Sequence, residues 1–137
     1  MSLNYSEAVD RFFNLIRTNL SDDYVANVDI YFQGVPSEIN IQKSYGRFFI
    51  EHTSSSQRSI GGRLYERRGF GGVELFEVLG KDLTDLRLYA NEVKNIFQDS
   101  DDTEFYFTNI TISEIGVFEN KFFQLNVITE FLYFEAT

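Results

Sequence analysis

Two stretches of the chain repeat their apolar positions at helical spacing. From Asn4 to Leu20, the residues Val9, Phe12, Phe13, Ile16 and Leu20 fall on one stripe. Asn4 with Glu7 three residues on forms a capping-box variant, and Ser21-Asp22-Asp23 marks the helix exit. From Asp82 to Gln98, the residues Leu83, Leu86, Ala90, Val93 and Phe97 share a face, with Tyr89 and Ile96 beside it. Asp82 is placed to cap this second helix, and Asp85 sits in its first turn, where the helix dipole favours an acid.

The remaining apolar runs are short or alternate, which predicts strands. Val28 to Phe32 is one, closed by the turn signal Gly34-Val35-Pro36. Arg47 to Thr53 is a second, carrying Phe48, Phe49 and Ile50. Thr53 to Gly62 is polar and rich in serine and glycine, a long exposed loop or the tip of an extended hairpin. Arg63 to Arg68 and Val73 to Val78 flank Gly69-Phe70-Gly71-Gly72, which reads as a hairpin turn. After an acidic turn, Asp99-Ser100-Asp101-Asp102, the strands Glu104 to Ile112 and Lys121 to Phe134 flank a turn at Gly116. In the last strand Phe123, Leu125, Val127, Phe131 and Tyr133 lie on one face. The order is helix, three or four strands, helix, two strands, with no internal repeat and no boundary. It predicts a single α+β domain over residues 1–137, with two helices packed on one side of a largely antiparallel sheet and a protruding β-hairpin or loop.

Composition fits a folded domain: 43% of the 137 residues are hydrophobic and 17% aromatic, with 15 Phe and 8 Tyr. Cysteine is absent, so disulfides and thiolate metal sites are excluded, as expected of a protein folding in a reducing cytoplasm. There is no apolar run of about 18 residues and no basic start leading into a signal-peptide core. A soluble, non-exported protein with no membrane partner is expected. The net charge of −9 disfavours specific nucleic-acid binding. That charge is unevenly spread. Between Lys43 and Arg68 six basic residues stand against Glu51 and Glu66, net +4, which leaves −13 on the rest. Such a dipolar chain could dock its basic segment on a neighbour's acidic surface; the clustering is equally compatible with ordinary surface charge.

Candidate chemistry is sparse. His52 is the one histidine, which removes standard triads and multi-histidine metal sites and suits a structural strand residue better than a base. Asp99, Asp101, Asp102 and Glu104 lack the glycine and distal glutamate of an EF-hand loop, so a solvated acidic turn is expected there. Neither Gly61-Gly62 nor the glycine run at 69–72 leads into a helix through Lys-Ser/Thr, as phosphate loops do. No catalytic, cofactor-binding or metal-ligating residue is therefore assigned, and a non-enzymatic role is expected. The candidate site is a set of arginines, Arg58, Arg63, Arg67 and Arg68. On a strand, Arg63, Tyr65 and Arg67 share one face while Leu64, Glu66 and Arg68 share the other. Guanidinium groups beside an aromatic suit a protein–protein contact or a nucleic-acid backbone, or form a solvated strand face. The global charge weighs against nucleic acid.

The run from Arg47 through Phe97 carries a resemblance. Arg47-Phe-Phe-Ile-Glu is followed by Ser56-Gln57-Arg58-Ser-Ile-Gly61, then by Tyr65-Glu-Arg67-Arg68 and Gly71. Val73-Glu-Leu-Phe76-Glu-Val and Gly80 then lead into the helix ending Asn95-Ile96-Phe97. This order, with the ending Phe123-Gln-Leu-Asn126-Val127 through Phe131 and Tyr133, resembles the tail terminator (tail-completion) proteins of long-tailed bacteriophages. The likeness covers nearly the whole chain by pattern and length, least so from Ser21 to Ser44. It implies a hexameric ring that caps the tail tube, stops its growth and presents its other face to the head–tail connector protein. DNA would pass through the ring, and the protein would reside in the virion tail after assembly in the host cytoplasm. The partners implied are other copies of itself, the tail tube protein and the connector; no cofactor is implied. Another neck or minor-tail component of the same topology remains open, as does a small-ligand-binding α+β domain using the aromatic sheet face.

Overall fold

The computed structural model describes residues 3–35, 38, 42–57 and 64–136. Its elements run α1 (Tyr5–Asn19), α2 (Asp22–Asn27), β1 (Asp29–Phe32), β2 (Tyr45–Gln57), β3 (Leu64–Val78), α3 (Thr84–Gln98), β4 (Phe105–Phe118) and β5 (Phe122–Ala136). The strands form one sheet in the order β1-β2-β3-β5-β4. β1 is parallel to β2 and every other neighbouring pair is antiparallel. The α+β class holds.

The expected capping box is present: the Glu7 amide donates to Asn4 Oδ1 at 2.8 Å, and the Asn4 amide donates to Glu7 Oε1 at 3.1 Å. Ala8, Phe12, Phe13 and Ile16 of α1 are buried, as are Leu86, Tyr89, Ala90, Val93 and Phe97 of α3. Both helices contribute to a core with Phe48 and Ile50 of β2, Val73 and Leu75 of β3, and Leu125, Val127, Phe131 and Tyr133 of β5. All these strand residues lie on one face of the sheet. Phe12 is its hub, with ring centroids of Phe97, Phe105, Phe107 and Phe131 at 5.5 to 6.4 Å. The opposite face carries a smaller cluster of Tyr45, Phe76 and Phe122 with no helical residue in it. The helices thus cover one face and leave the other open.

Three local expectations are corrected, and one helix is added. Gly69-Phe70-Gly71-Gly72 is not a turn but the middle of β3, paired without a break to β5 from Leu64↔Ala136 to Val78↔Phe122. Glycine is needed there for close approach. A Cβ on Gly69 would lie 2.0 Å from the Glu51 carbonyl oxygen, and one on Gly71 would lie 2.7 Å from the Phe12 ring. β3 instead forms its hairpin with β2, which extends to Gln57; residues 58–63, with Arg58, Arg63 and most of the expected Ser/Gly loop's far end, lie outside the described residues.

Gly116 is likewise inside β4, at a register shift between Glu114 and Gly116. The β4–β5 turn is made by Glu119 and Asn120, both at positive φ, closed by the Lys121 amide donating to the Phe118 carbonyl. Paired positive φ angles give the backbone twist that suits a two-residue hairpin. Ser21-Asp22-Asp23 does end α1, yet it also starts a further helix, since the Ser21 hydroxyl accepts from the Tyr24 amide and caps α2. At α3 the cap position falls on Leu83, while the Asp82 carboxylate accepts from the Thr84 amide and hydroxyl at 2.8 and 2.6 Å. Asp82 therefore satisfies a first-turn amide from one residue further out, and these hydrogen bonds hold its carboxyl below the usual range.

Candidate protein–protein interface

β3 carries the two described arginines of the candidate site, and strand alternation sends them to opposite faces. Arg67 lies on the helix side. Its guanidinium pairs with Glu135 of β5 at 2.9 Å and sits 5.0 Å from the Tyr65 ring centre. Arg68 lies on the open side and donates to Glu66 at 2.6 Å, which raises its pKa. Arg58 and Arg63 lie outside the described residues. The expected alternation of faces is thus present, while Arg67 and Arg68 do not form one patch.

The wider basic segment is also matched within the chain. Lys43 pairs with Asp29 at 2.9 Å and Arg47 with Glu74 at 2.9 Å. With Arg67–Glu135, three of the partners come from outside residues 43–68. The segment's excess of positive charge is therefore partly neutralised by the acidic remainder of the same molecule. Exposed pairs of this kind contribute only about 0–1 kcal/mol each, but for the described bases Lys43, Arg47, Arg67 and Arg68 they reduce the unpaired charge that docking on a neighbour would use.

Beside Arg67 is a cavity of about 420 Å³ lined by Tyr5, His52, Thr53, Ser54, Tyr133 and Glu135, among others. His52 Nε2 hydrogen-bonds the Tyr133 hydroxyl at 2.6 Å, and its ring stands 4.6 Å from Tyr5 and 5.2 Å from Phe131. Burial, with Arg67 nearby, lowers the His52 pKa. Burial pushes the Tyr133 phenol up to about 12. Both groups are thus held neutral, the Tyr133 hydroxyl engaged by His52 and Glu135 engaged by Arg67.

The acidic turn has a structural task as well. Asp102 and Glu104 both receive Arg11 of α1, at 3.1 and 3.3 Å, and Asp102 accepts from the amides of Glu104 and Phe105. The turn thereby ties α1 to the start of β4. Among the described residues no three metal-type side chains converge on one point.

Composition-based reading missed the outer edge of β4. This is a 14-residue strand bonded to β5 on one side, and at the margin of the sheet on the other. Tyr106, Ile112, Ile115 and Val117 are exposed along it. The signal was in the sequence: Phe105–Phe118 holds one charged residue, Glu114, and no lysine or proline, the residues that usually blunt such an edge.

No family model matches the sequence, and comparison with curated proteins finds no match. Several solved chains are similar in structure; one of them matches over 88% of this chain and 94% of its own, at 15% identity and a TM-score of 0.62. At that identity the likeness shows the fold alone. Among the described residues no helix is long and apolar enough to cross a membrane.

Proposed function

We propose that the protein is a non-enzymatic assembly factor of a long-tailed bacteriophage, a ring-forming cap that ends the tail tube and meets the head connector. The observation that carries the reading is the order and placement of elements from Arg47 to Phe97. The Arg47–Gln57 and Tyr65–Val78 segments that resemble the tail terminators are the two arms of one long hairpin, β2–β3. The helix that follows them closes on Phe97, stacked 5.5 Å from Phe12 of α1. β4 begins opposite Tyr133, so beyond that point β2, β3 and the end of β5 continue without it. A subunit that must reach a tube below and a connector above needs such an arm on a rigid scaffold. The open sheet face and the uncovered β4 edge supply further surface for neighbours. No ring geometry is required of the arginines, whose described members pair within the chain.

Antibody-gold labelling of purified particles tests the reading. Label at the head-proximal end of the tail is expected; label along the whole tube, at the distal tip or absent from particles overturns it.

A further inference from the structure

The two margins of the sheet are matched in length, direction and charge. Register shifts at Thr108/Thr111 and at Glu114/Gly116 bound a regular run of four β4 residues, Thr111 to Glu114. β1, at the other margin, is also four residues long, Asp29 to Phe32. Bulges interrupt an edge, so β4 offers a further strand only short regular runs of β1's length, Phe105–Thr108 and Thr111–Glu114. Of the two, Thr111–Glu114 is the one with an exposed apolar side chain, Ile112, on the helix side.

Direction also agrees. β1 runs with β2, β2 against β3, β3 against β5 and β5 against β4. β4 therefore runs opposite to β1. If a second copy continues the sheet with its helices on the same face, its β1 meets β4 as an antiparallel pair, the commoner and slightly more stable arrangement.

Charge decides what can approach. The chain carries −9 overall, so most contacts between copies bring like charges together. Each of the two four-residue segments holds one acid, and each acid is bonded to a base of its own chain: Asp29 to Lys43 at 2.9 Å, Glu114 to Arg87 at 2.7 Å. Both margins are locally neutral. Ile112, 40% exposed on the helix side, would gain cover from a neighbour's Ile30, which lies on that same side.

We infer that copies of this chain join head to tail, the β1 edge of one copy pairing with the Thr111–Glu114 segment of the next, to build one sheet continuous around the ring. A head-to-tail contact closes into a ring when its rotation divides the circle. Four residue pairs span only about 14 Å, so a single junction is weak and closure makes the assembly last. The inference deepens the ring reading and rests on it for closure alone.

Sedimentation of purified protein tests it, without a phage. The wild-type chain is expected to pass beyond dimers as concentration rises. Association should strengthen with salt, because screening relieves the repulsion between copies; docking through the basic segment would weaken with salt. Ile112→Lys/Ile115→Lys blocks β4 and Tyr31→Lys obstructs β1, so each variant alone is expected to be monomeric. An equimolar mixture should form heterodimers and nothing larger. Hydrogen exchange on the wild-type chain removes dependence on the variants' folding: amides of β1 and of Thr111–Glu114 should gain protection together as concentration rises. A wild-type chain monomeric at every concentration and salt, association of Tyr31→Lys alone, or protection gained on β4 only would overturn the inference. Failure here with gold label at the head-proximal tail end would leave the tail reading standing, and the converse result would leave the junction standing.

Discussion

Gly69→Ala is the sharpest probe of the unbroken β3 strand. Gly69 stands opposite His52 of β2 and Phe131 of β5. The added Cβ would sit 2.0 Å from the Glu51 carbonyl oxygen and 2.7 Å from Cζ of Phe131. Carbon–oxygen contacts between strands lie at about 3.3–3.6 Å, so β2 and β3 must part there by roughly 1.3 Å or more. Two weakened ladder hydrogen bonds at about 1 kcal/mol each, with overpacking of about 1–3 kcal/mol where Phe131 is displaced, give a loss of about 3–5 kcal/mol. In a chain of this size that lowers the melting temperature by on the order of 10 °C. Gly80→Ala is the control: nothing lies within 4 Å of a Cβ there, but φ is +91°, so about 1–2 kcal/mol is expected from backbone strain alone. Urea unfolding followed by circular dichroism measures both. Were the glycine run a solvent-exposed turn, Gly69→Ala would cost no more than Gly80→Ala. A Gly69→Ala loss below about 1 kcal/mol refutes the strand.

Other substitutions test the core and the pairs. Phe12→Ala, at a fully buried ring among Phe97, Phe105, Phe107 and Phe131, should cost about 3–5 kcal/mol in the same assay; a loss near 1 kcal/mol would mean the helix is not seated there. A double-mutant cycle of Arg67→Ala with Glu135→Ala should give a coupling of about 0.5–1 kcal/mol, and zero coupling would return Arg67 to solvent or to a neighbour. His52 is packed against Tyr5 of α1, Arg67 of β3 and Tyr133 of β5, and its folded pKa is lowered. The unfolded chain therefore takes up the proton first, so the contribution of His52 is complete above the unfolded pKa of about 6.5 and is lost as pH falls through the lower folded value. His52→Gln should flatten the stability profile in that window, and an unchanged slope would contradict the shift.

The sequence made legible what is set locally and by period. The Asn4–Glu7 capping box, the α1 stripe and the α3 face depend on residues three or four apart, and the structure has them. What failed depends on residues far apart in sequence. The glycine run at 69–72 looked like a turn because turns are the local reason for glycine; the actual reason is Glu51, Phe12 and Val127, brought close by the fold. α2, six residues long, is too short for periodicity to register, and Ser21 had a second role as its cap. Gly116 drew the turn away from Glu119-Asn120 because positive φ is rarer in those residue types. For the candidate site, the charges were legible and their partners were not: Glu135 lies 68 positions from Arg67. The β4 edge needed the strand order, which places β5 between β3 and β4, to show that a nearly uncharged strand lies at the margin.

Electron microscopy of particles from a phage in which this gene carries an early stop is the most direct test of the proposed role. Loss of a ring that ends tube growth should give tails of broad and excessive length, restored to one length by the wild-type gene supplied in trans. Tails of normal, uniform length on infectious particles would contradict the account.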